Sequence, residues 1–280
     1  MKLIIHGGFF SESSQSQETK KAKQDALIRI VRDSYEYLKV HTALETVAYA
    51  VGLLEDDALF NAGIGSMIQS DGKIRMSASI MDGITKKMAG VINIEDVKNP
   101  IQVAQILLKE DDRILGGEGA TNYARINGFD KFSTETKQRR EEFESKRKSL
   151  GLGTVGCVAL DKNGNIAAAT STGGKGFELI GRVSDSATVA GNYANEFCGV
   201  SLTGVGEDIV SGAMAAKIVT RVTDGMTLAK AVEKTFEEIK PFDGFAGAIC
   251  IDKDGNIVHR DSFPSMVFAS FEGKKLEVFN

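Results

Sequence analysis

Residues 154–171 read TVGCVALDKNGNIAAATS, and how this stretch is parsed decides the fold. It starts inside GLGTVG, Gly151–Gly156, which fits the G-x-G-x-x-G pattern of dinucleotide-binding turns. That pattern needs a buried strand before it and, after it, a helix whose N-terminus receives the pyrophosphate. Upstream stands instead the charged run KQRREEFESKRKS, Lys137–Ser149, with six basic and three acidic residues and no apolar stripe. Such a run predicts a solvated helix or a flexible linker. Downstream, two apolar segments flank an Asn-Gly turn, which is a hairpin signature. A nucleotide reading lacks both of its supports.

A second hairpin, GAICIDKDGNIVHRD at residues 247–261, repeats the turn, Asp161–Asn165 matching Asp252–Asn256. The strands around both turns are apolar on each face, which predicts sheets covered from both sides. Amphipathic helices are predicted over KKAKQDALIRIVRDSYEYLK and TALETVAYAVGLLE, after a short strand Lys2–Ile5. KIRMSASIMDG and KMAGVINI read as strands. Pro100 opens a further helix, and GEGATNYARINGF is a shorter helical piece. DIVSGAMAAKIV and TLAKAVEKTFEEI supply helices to cover one sheet face. The simplest architecture is α+β, with antiparallel sheets packed on each other and helices outside.

The 280 residues, 42% apolar and 26% charged with net charge −4, describe one large or two small globular domains. There is no basic footprint for nucleic acid and no membrane-length apolar run, and MKLIIHGG is too short for a signal peptide. Cys157, Cys198 and Cys250 lie far apart and are odd in number, which predicts free thiols in a reducing cytoplasm. His6, His41 and His259 are too scattered for zinc and read as packed or surface side chains.

A threonine heading a buried strand after a polar segment can be used as a nucleophile. If the Gly153–Thr154 bond breaks, Thr154 gains an α-amine, with a pKa of about 7.7–8.0, beside its own hydroxyl. That amine can take the hydroxyl proton. The same hydroxyl can attack the Gly153 carbonyl, give an ester by N-to-O acyl shift, and so open the bond. Glycine at 153 leaves that carbonyl accessible. On shape alone, a plain loop before a strand explains GLG equally well.

Around it stand HGG (Gly7–Gly8), NAGIGS, IMDG, TVG, ATSTGG, GRVSDS and LTGVGE, in that order along almost the whole chain. Together they resemble the plant-type L-asparaginase/isoaspartyl-peptidase family of N-terminal nucleophile (Ntn) hydrolases. The resemblance implies a four-layer αββα sandwich of two antiparallel sheets, formed by residues 1–280 as a single domain. It implies autocleavage into 1–153 and 154–280, pairing of two such α/β units into a homodimer, and no required cofactor.

Site residues follow by the same resemblance. Thr154 is the nucleophile for autocleavage and for hydrolysis, and Thr172 is the hydroxyl beside it. Arg182 matches the residue holding the substrate α-carboxylate, for which a planar fork is suited. Asp185 matches the carboxylate facing the α-ammonium, and Gly206 offers it a backbone carbonyl. Thr203 and the Gly204 N–H match the oxyanion donors, and Asn61 lies near the nucleophile. LLEDDALFNAGIGS resembles a sodium loop, its ion held by backbone oxygens of Leu54, Glu55, Asp57, Phe60, Ala62 and Ile64.

The chain departs from the family pattern in three places. Ser184 and Ala187 stand in SDSA where relatives usually read GDSP, and Ser77 replaces a usual aspartate. These touch pocket shape rather than a catalytic group. The expected activity is hydrolysis of β-aspartyl amide bonds in isoaspartyl dipeptides or L-asparagine. Alternatives are glycosylasparaginase activity, toward which GFELIGRVSDS leans, and an unprocessed silent member of the fold. An α/β-hydrolase would need G-x-S-x-G, which the sequence lacks.

Overall fold

Both turns close as their residues require. Asp161 Oδ1 accepts the N–H groups of Asn163 and Asn165, and Asp252 Oδ1 does the same for Asp254 and Asn256. In each, the asparagine amide donates back to the second carboxylate oxygen. These Asx turns set the register of two hairpins.

The computed structural model describes residues 1–10, 16–146, 153–262 and 265–280. Gly151 and Leu152 of the glycine-framed stretch, and Arg147–Ser149 of the charged run, lie outside them. The first half of the chain runs β1 (Lys2–Phe9), α1 (Gln17–Leu38), α2 (Ala43–Glu55), β2 (Met76–Asp82), β3 (Met88–Ile94) and α3 (Pro100–Leu107). It continues with β4 (Ile114–Gly116), α4 (Gly117–Ile126) and α5 (Lys137–Glu144). The second half opens with β5 (Val155–Leu160), β6 (Ile166–Thr172), a 3-10 turn (Asp185–Ala187), β7 (Asn192–Ala194) and β8 (Cys198–Gly204). Then come α6 (Gly206–Gly212), α7 (Met214–Thr223), α8 (Leu228–Glu238), β9 (Ala246–Asp252) and β10 (Ile257–Asp261). Strands β11 (Met266–Phe271) and β12 (Leu276–Val278) close the chain.

The strands form two sheets. One has eight strands in the order β12-β11-β1-β5-β6-β2-β3-β4, the other four in the order β10-β9-β8-β7. Helices α1–α4 pack on the larger sheet, the two sheets meet through β5, β6, β8 and β9, and α7 and α8 cover the smaller one. Strand β8 shows how one sequence serves two layers. Cys198, Val200 and Leu202 join the cluster under α7 and α8, so the alternate Gly199, Ser201 and Thr203 face the larger sheet. A Cβ on Gly199 would lie 2.7 Å from Ile166 Cγ2 and 2.9 Å from Val158 Cγ1, so glycine lets the sheets approach.

Several expectations need correction. The larger sheet is not wholly antiparallel, because β3 and β4 pair in parallel at its edge. Strand β10 is half-exposed rather than buried on both faces. DIVSGAMAAKIV is two helices, broken at Ala213 with φ +46°. The charged run, by contrast, is the expected solvated helix over α5, with Phe143 packed against Phe177. Among the described residues no helix is long and apolar enough to cross a membrane.

Candidate active site

Thr154 heads β5, which pairs with β6 so that Val155 faces Ser171. Continuing that register brings Thr154 to Thr172, and Thr154 Oγ1 donates to Thr172 Oγ1 at 3.1 Å. Thr172 Oγ1 also accepts the Gly174 N–H at 3.1 Å. Thr154 itself is buried. Asn61 holds the other side of this junction. Its N–H donates to Gly153 O (3.1 Å) and its carbonyl accepts the Gly173 N–H (2.9 Å). Its side-chain amide donates to Gly174 O (2.6 Å) and accepts the Met67 N–H (2.9 Å). A Cβ on Gly153 would overlap that of Asn61, so the close approach requires glycine.

The histidine of HGG has a role that the sequence reading did not assign. His6 is fully buried, with Nδ1 3.1 Å from Thr154 O and Nε2 2.9 Å from Ser201 Oγ. Thr170 Oγ1 in turn lies 2.7 Å from Ser201 Oγ. A carbonyl can only accept, so Nδ1 carries the proton and Nε2 accepts from Ser201. Thr170 then donates to Ser201, and the chain of bonds runs one way to the Thr154 carbonyl. Burial pushes the His6 pKa down to about 3, against the backbone bond to Thr154, so the ring is neutral. Gly156 is glycine for the same reason: a Cβ there would overlap both Ser201 Oγ and His6 Nε2. The signal in the sequence was the pair of a buried-strand histidine and a glycine that no nucleotide explained. Its partner Ser201 is 195 residues away.

Arg182, Asp185 and Gly206 converge. A Cβ on Gly206 would lie 2.7 Å from Asp185 Oδ1 and 2.9 Å from Arg182 Nη2. Arg182 and Asp185 do not pair with each other as an ion pair. Arg182 pairs with Glu207 instead, Nε to Oε1 at 2.9 Å and Nη2 to Oε2 at 3.1 Å. That pairing, with Lys175 also bound to Glu207, holds the Glu207 carboxyl down at about 2. The pair with Glu207 uses Nε and one Nη2 hydrogen, which leaves Nη1 and the other Nη2 hydrogen outside it. Asp185 is buried, and its Oδ2 has no hydrogen-bond partner among the described residues. Burial pushes its carboxyl up to about 7, although Arg182 pulls the other way.

Thr203 and Gly204 end β8, Thr203 two residues beyond Ser201 and on the same face. Gly204 has φ +140°, and a Cβ there would overlap Phe245 O. No side-chain hydrogen bond joins Thr203 to the other predicted residues among those described. Ser77 sits opposite Thr172 in the β2–β6 ladder, and its Oγ accepts the Asn93 N–H at 3.1 Å. Ser184 precedes the 3-10 turn, its buried Oγ without a partner among the described residues. Ala187 is buried, and the turn is held by Thr188, whose N–H and Oγ1 both donate to Asp185 O at 2.8 Å.

The predicted cation loop closes on itself after α2. Asp57 N–H donates to Leu54 O, Phe60 N–H to Asp57 O, and Ile64 N–H to Glu55 O. Each of those carbonyls takes one backbone donor there and has a second lone pair. Gly65, with φ +93°, passes close to Phe60 O. Backbone carbonyls are the class of neutral oxygen donor that a hard monovalent cation takes. The Glu55 side chain points elsewhere, accepting from Ser171 Oγ (2.6 Å) and Ile101 N–H (3.1 Å).

A family profile described as asparaginase matches residues 1–279. An isoaspartyl peptidase/L-asparaginase of Synechocystis sp. is 44% identical, over 97% of this chain and 88% of the relative. The isoaspartyl peptidase of Escherichia coli is 37% identical over 91% of this chain and 88% of its own length. A plant-type L-asparaginase of Pyrococcus abyssi is 34% identical over 95% of each. With its threonine pair, its glycine-framed junction and near full-length likeness to these proteins, the chain belongs to the asparaginase family.

Proposed function

We propose that this protein is an isoaspartyl peptidase/L-asparaginase that cuts itself before Thr154 and then hydrolyses β-aspartyl amides through that residue. The single observation that carries the reading is Thr154 Oγ1 at 3.1 Å from Thr172 Oγ1, beside a Gly153 carbonyl held by Asn61. The activities named for the relatives in Synechocystis sp. and Escherichia coli support it. The layer order, helices, sheet, sheet, helices, supports the Ntn-hydrolase αββα class.

The first reaction uses the intact chain. Thr154 Oγ attacks the Gly153 carbonyl carbon, while the Asn61 N–H on Gly153 O stabilises the oxygen that gains charge. Collapse breaks the C–N bond, with the proton given up by the hydroxyl ending on the Thr154 nitrogen, and leaves Gly153 esterified to Thr154 Oγ. Water hydrolyses the ester, giving a Gly153 carboxylate and a free Thr154 amine. His6 keeps the Thr154 carbonyl fixed throughout, so the new N-terminus stays in place.

The second reaction uses that amine as base. It takes the Thr154 hydroxyl proton as Oγ attacks the β-carbonyl of the substrate. Thr203 and the Gly204 N–H bind the oxyanion, where one preorganised donor is typically worth roughly 3–4 kcal/mol. The protonated amine passes its proton to the leaving ammonia or amino acid, and water releases aspartate. Arg182 binds the α-carboxylate and Asp185, ionised, binds the α-ammonium with the Gly206 carbonyl. A sodium ion on the carbonyls of Leu54, Glu55, Asp57, Phe60, Ala62 and Ile64 would brace the loop that carries Asn61.

Intact mass after incubation at neutral pH tests the proposal. Two fragments beginning at Met1 and Thr154 are expected, with hydrolysis of isoaspartyl dipeptides. Thr154→Ala is expected to stay one chain of 30.1 kDa without activity. Cleavage in that variant, or hydrolysis by a parent chain that never cleaves, overturns it.

A further inference from the structure

Helix α5 was expected to be a solvated segment leading to the junction, yet it is tied down at three points. Arg139 Nε donates to Gly65 O at 2.8 Å, next to the cation loop. Arg140 Nη2 donates to Gly72 O at 3.3 Å, and its guanidinium lies 5.6 Å from the Phe143 ring centre. Phe143 stacks on Phe177, ring centres 5.2 Å apart and planes 14° from parallel. Thr136 caps the helix by accepting the Arg139 N–H, so the strap has a defined start.

What the strap touches matters. Phe177 lies in the loop between Thr172 and Arg182. That loop is laced to the preceding segment by Phe177 N–H to Ile68 O (3.0 Å) and Ser70 N–H to Glu178 O (3.2 Å). Phe177 has φ +54°, a conformation that a bulky side chain holds only when its surroundings enforce it. Beyond it, Leu179 and Ile180 are exposed, and Arg182 is tied back by its N–H to Leu179 O and by Asn93 Nδ2 to its carbonyl. On its ring side, Phe177 is stacked by Phe143.

We infer that α5 is a positioning strap for the substrate loop, and that Phe143 acts through Phe177 to fix Arg182. The inference rests on the proposed role of Arg182. It adds a contact across the junction, because Phe143 precedes Gly153 and Phe177 follows Thr154. Scission therefore leaves the strap on one fragment and the loop it holds on the other. The ring pair lies at a surface seam beside a cavity of about 380 Å³, lined by Ser70, Phe143, Glu144, Lys146 and Phe177. Its removal opens no hole in the core.

Two measurements on the full chain, for the parent, Phe143→Ala and Phe143→Tyr, test this. The first is amide hydrogen exchange, which needs no activity. Exchange at Phe177–Arg182 is expected to speed up about 2- to 10-fold in Phe143→Ala, the range an aromatic pair supports, and to match the parent in Phe143→Tyr. The second is kinetics on an isoaspartyl dipeptide, where Phe143→Ala is expected to raise KM by a similar factor with kcat and self-cleavage unchanged. Unchanged exchange and KM in Phe143→Ala overturn the strap. So does faster exchange spread over the whole molecule, or a fall in kcat and cleavage instead of a rise in KM. A parent without hydrolytic activity would sink the proposed function, while the exchange experiment would still judge the strap.

Discussion

Asp185 makes the sharpest prediction, because its charge is set by burial and the proposed function depends on that charge. With a carboxyl at about 7, about ten in eleven molecules carry the anion at pH 8 and about one in eleven at pH 6. A ligand whose ammonium binds only the anion then loses about tenfold in apparent affinity across that interval. A carboxylate titrating near 3.8 would give a flat line. Competitive inhibition by L-aspartate, with both α-groups of the inhibitor charged throughout, reads this directly. Asp185→Asn should bind aspartate more weakly and lose the slope. The same burial has a stability side. The folded-state value lies above the unfolded one, so stability is whole below about pH 4 and falls as pH rises through 7. The gap from 3.8 to about 7 amounts to about 4 kcal/mol at most. In an uncleaved Thr154→Ala background, the urea midpoint of Asp185→Asn should therefore gain on the parent between pH 5 and 8. A parent inhibition constant that stays level from pH 6 to 8 refutes the reasoning.

Two more perturbations follow from the same geometry. Gly206→Ala puts a methyl group within 3 Å of both Asp185 Oδ1 and Arg182 Nη2, and should raise KM about 10- to 100-fold while self-cleavage continues. His6→Asn keeps a donor near the Nδ1 position and His6→Gln does not, so steady-state kcat should fall about tenfold in Gln and less in Asn, equal losses ruling out the Nδ1 bond as the working contact. Because His6 is held neutral with its pKa lowered to about 3, its contribution to stability is present above 6.5 and is lost as pH falls toward 3. The His6 variants should accordingly differ least from the parent in acid-unfolding scans below about pH 3.

Much of the architecture could be read because it is local. The Asp-to-Asn turns, the capping box of α2 at Thr42 and Glu45, and Pro100 opening α3 are each decided within a few residues. What could not be read depends on distant partners. Strand β8 looks unremarkable as CGVSLTG until one sees that its small and polar residues face a second sheet and its apolar ones face helices. Ala213 breaks a helix that periodicity carried through, because no local rule forbids alanine in the left-handed region, only its rarity. His6 and Ser201 meet across the two sheets, and Arg182 finds Glu207 rather than the nearer Asp185. The resemblance pointed to Thr154, Thr172, Arg182, Asp185 and Gly206, and the structure brings the first two together and the last three together. The neutral histidine behind the threonines and the acid beside Arg182 were not legible in the sequence.

The substitutions at Ser184 and Ala187 bear on what the site is built to receive. A proline at 187 would stiffen the turn, and here Thr188 does that work through two hydrogen bonds to Asp185 O. The turn nevertheless carries three consecutive residues with a buried side-chain oxygen that has no partner among the described residues, Ser184 Oγ, Asp185 Oδ2 and Ser186 Oγ. Each such group typically costs about 1–3 kcal/mol. Local rearrangement could satisfy Ser184 cheaply, since a hydroxyl rotates, but the carboxylate is wedged between Gly191 and Gly206. Folding thus tolerates a destabilising acceptor held open beside a guanidinium that Glu207 already occupies on one edge. In the proposed function the ligand's ammonium meets the unsatisfied oxygen and its carboxylate meets the edge of Arg182 that Glu207 leaves open. The ligand that answers both is one carrying an ammonium and a carboxylate on a single carbon, as the α-carbon of an amino acid does.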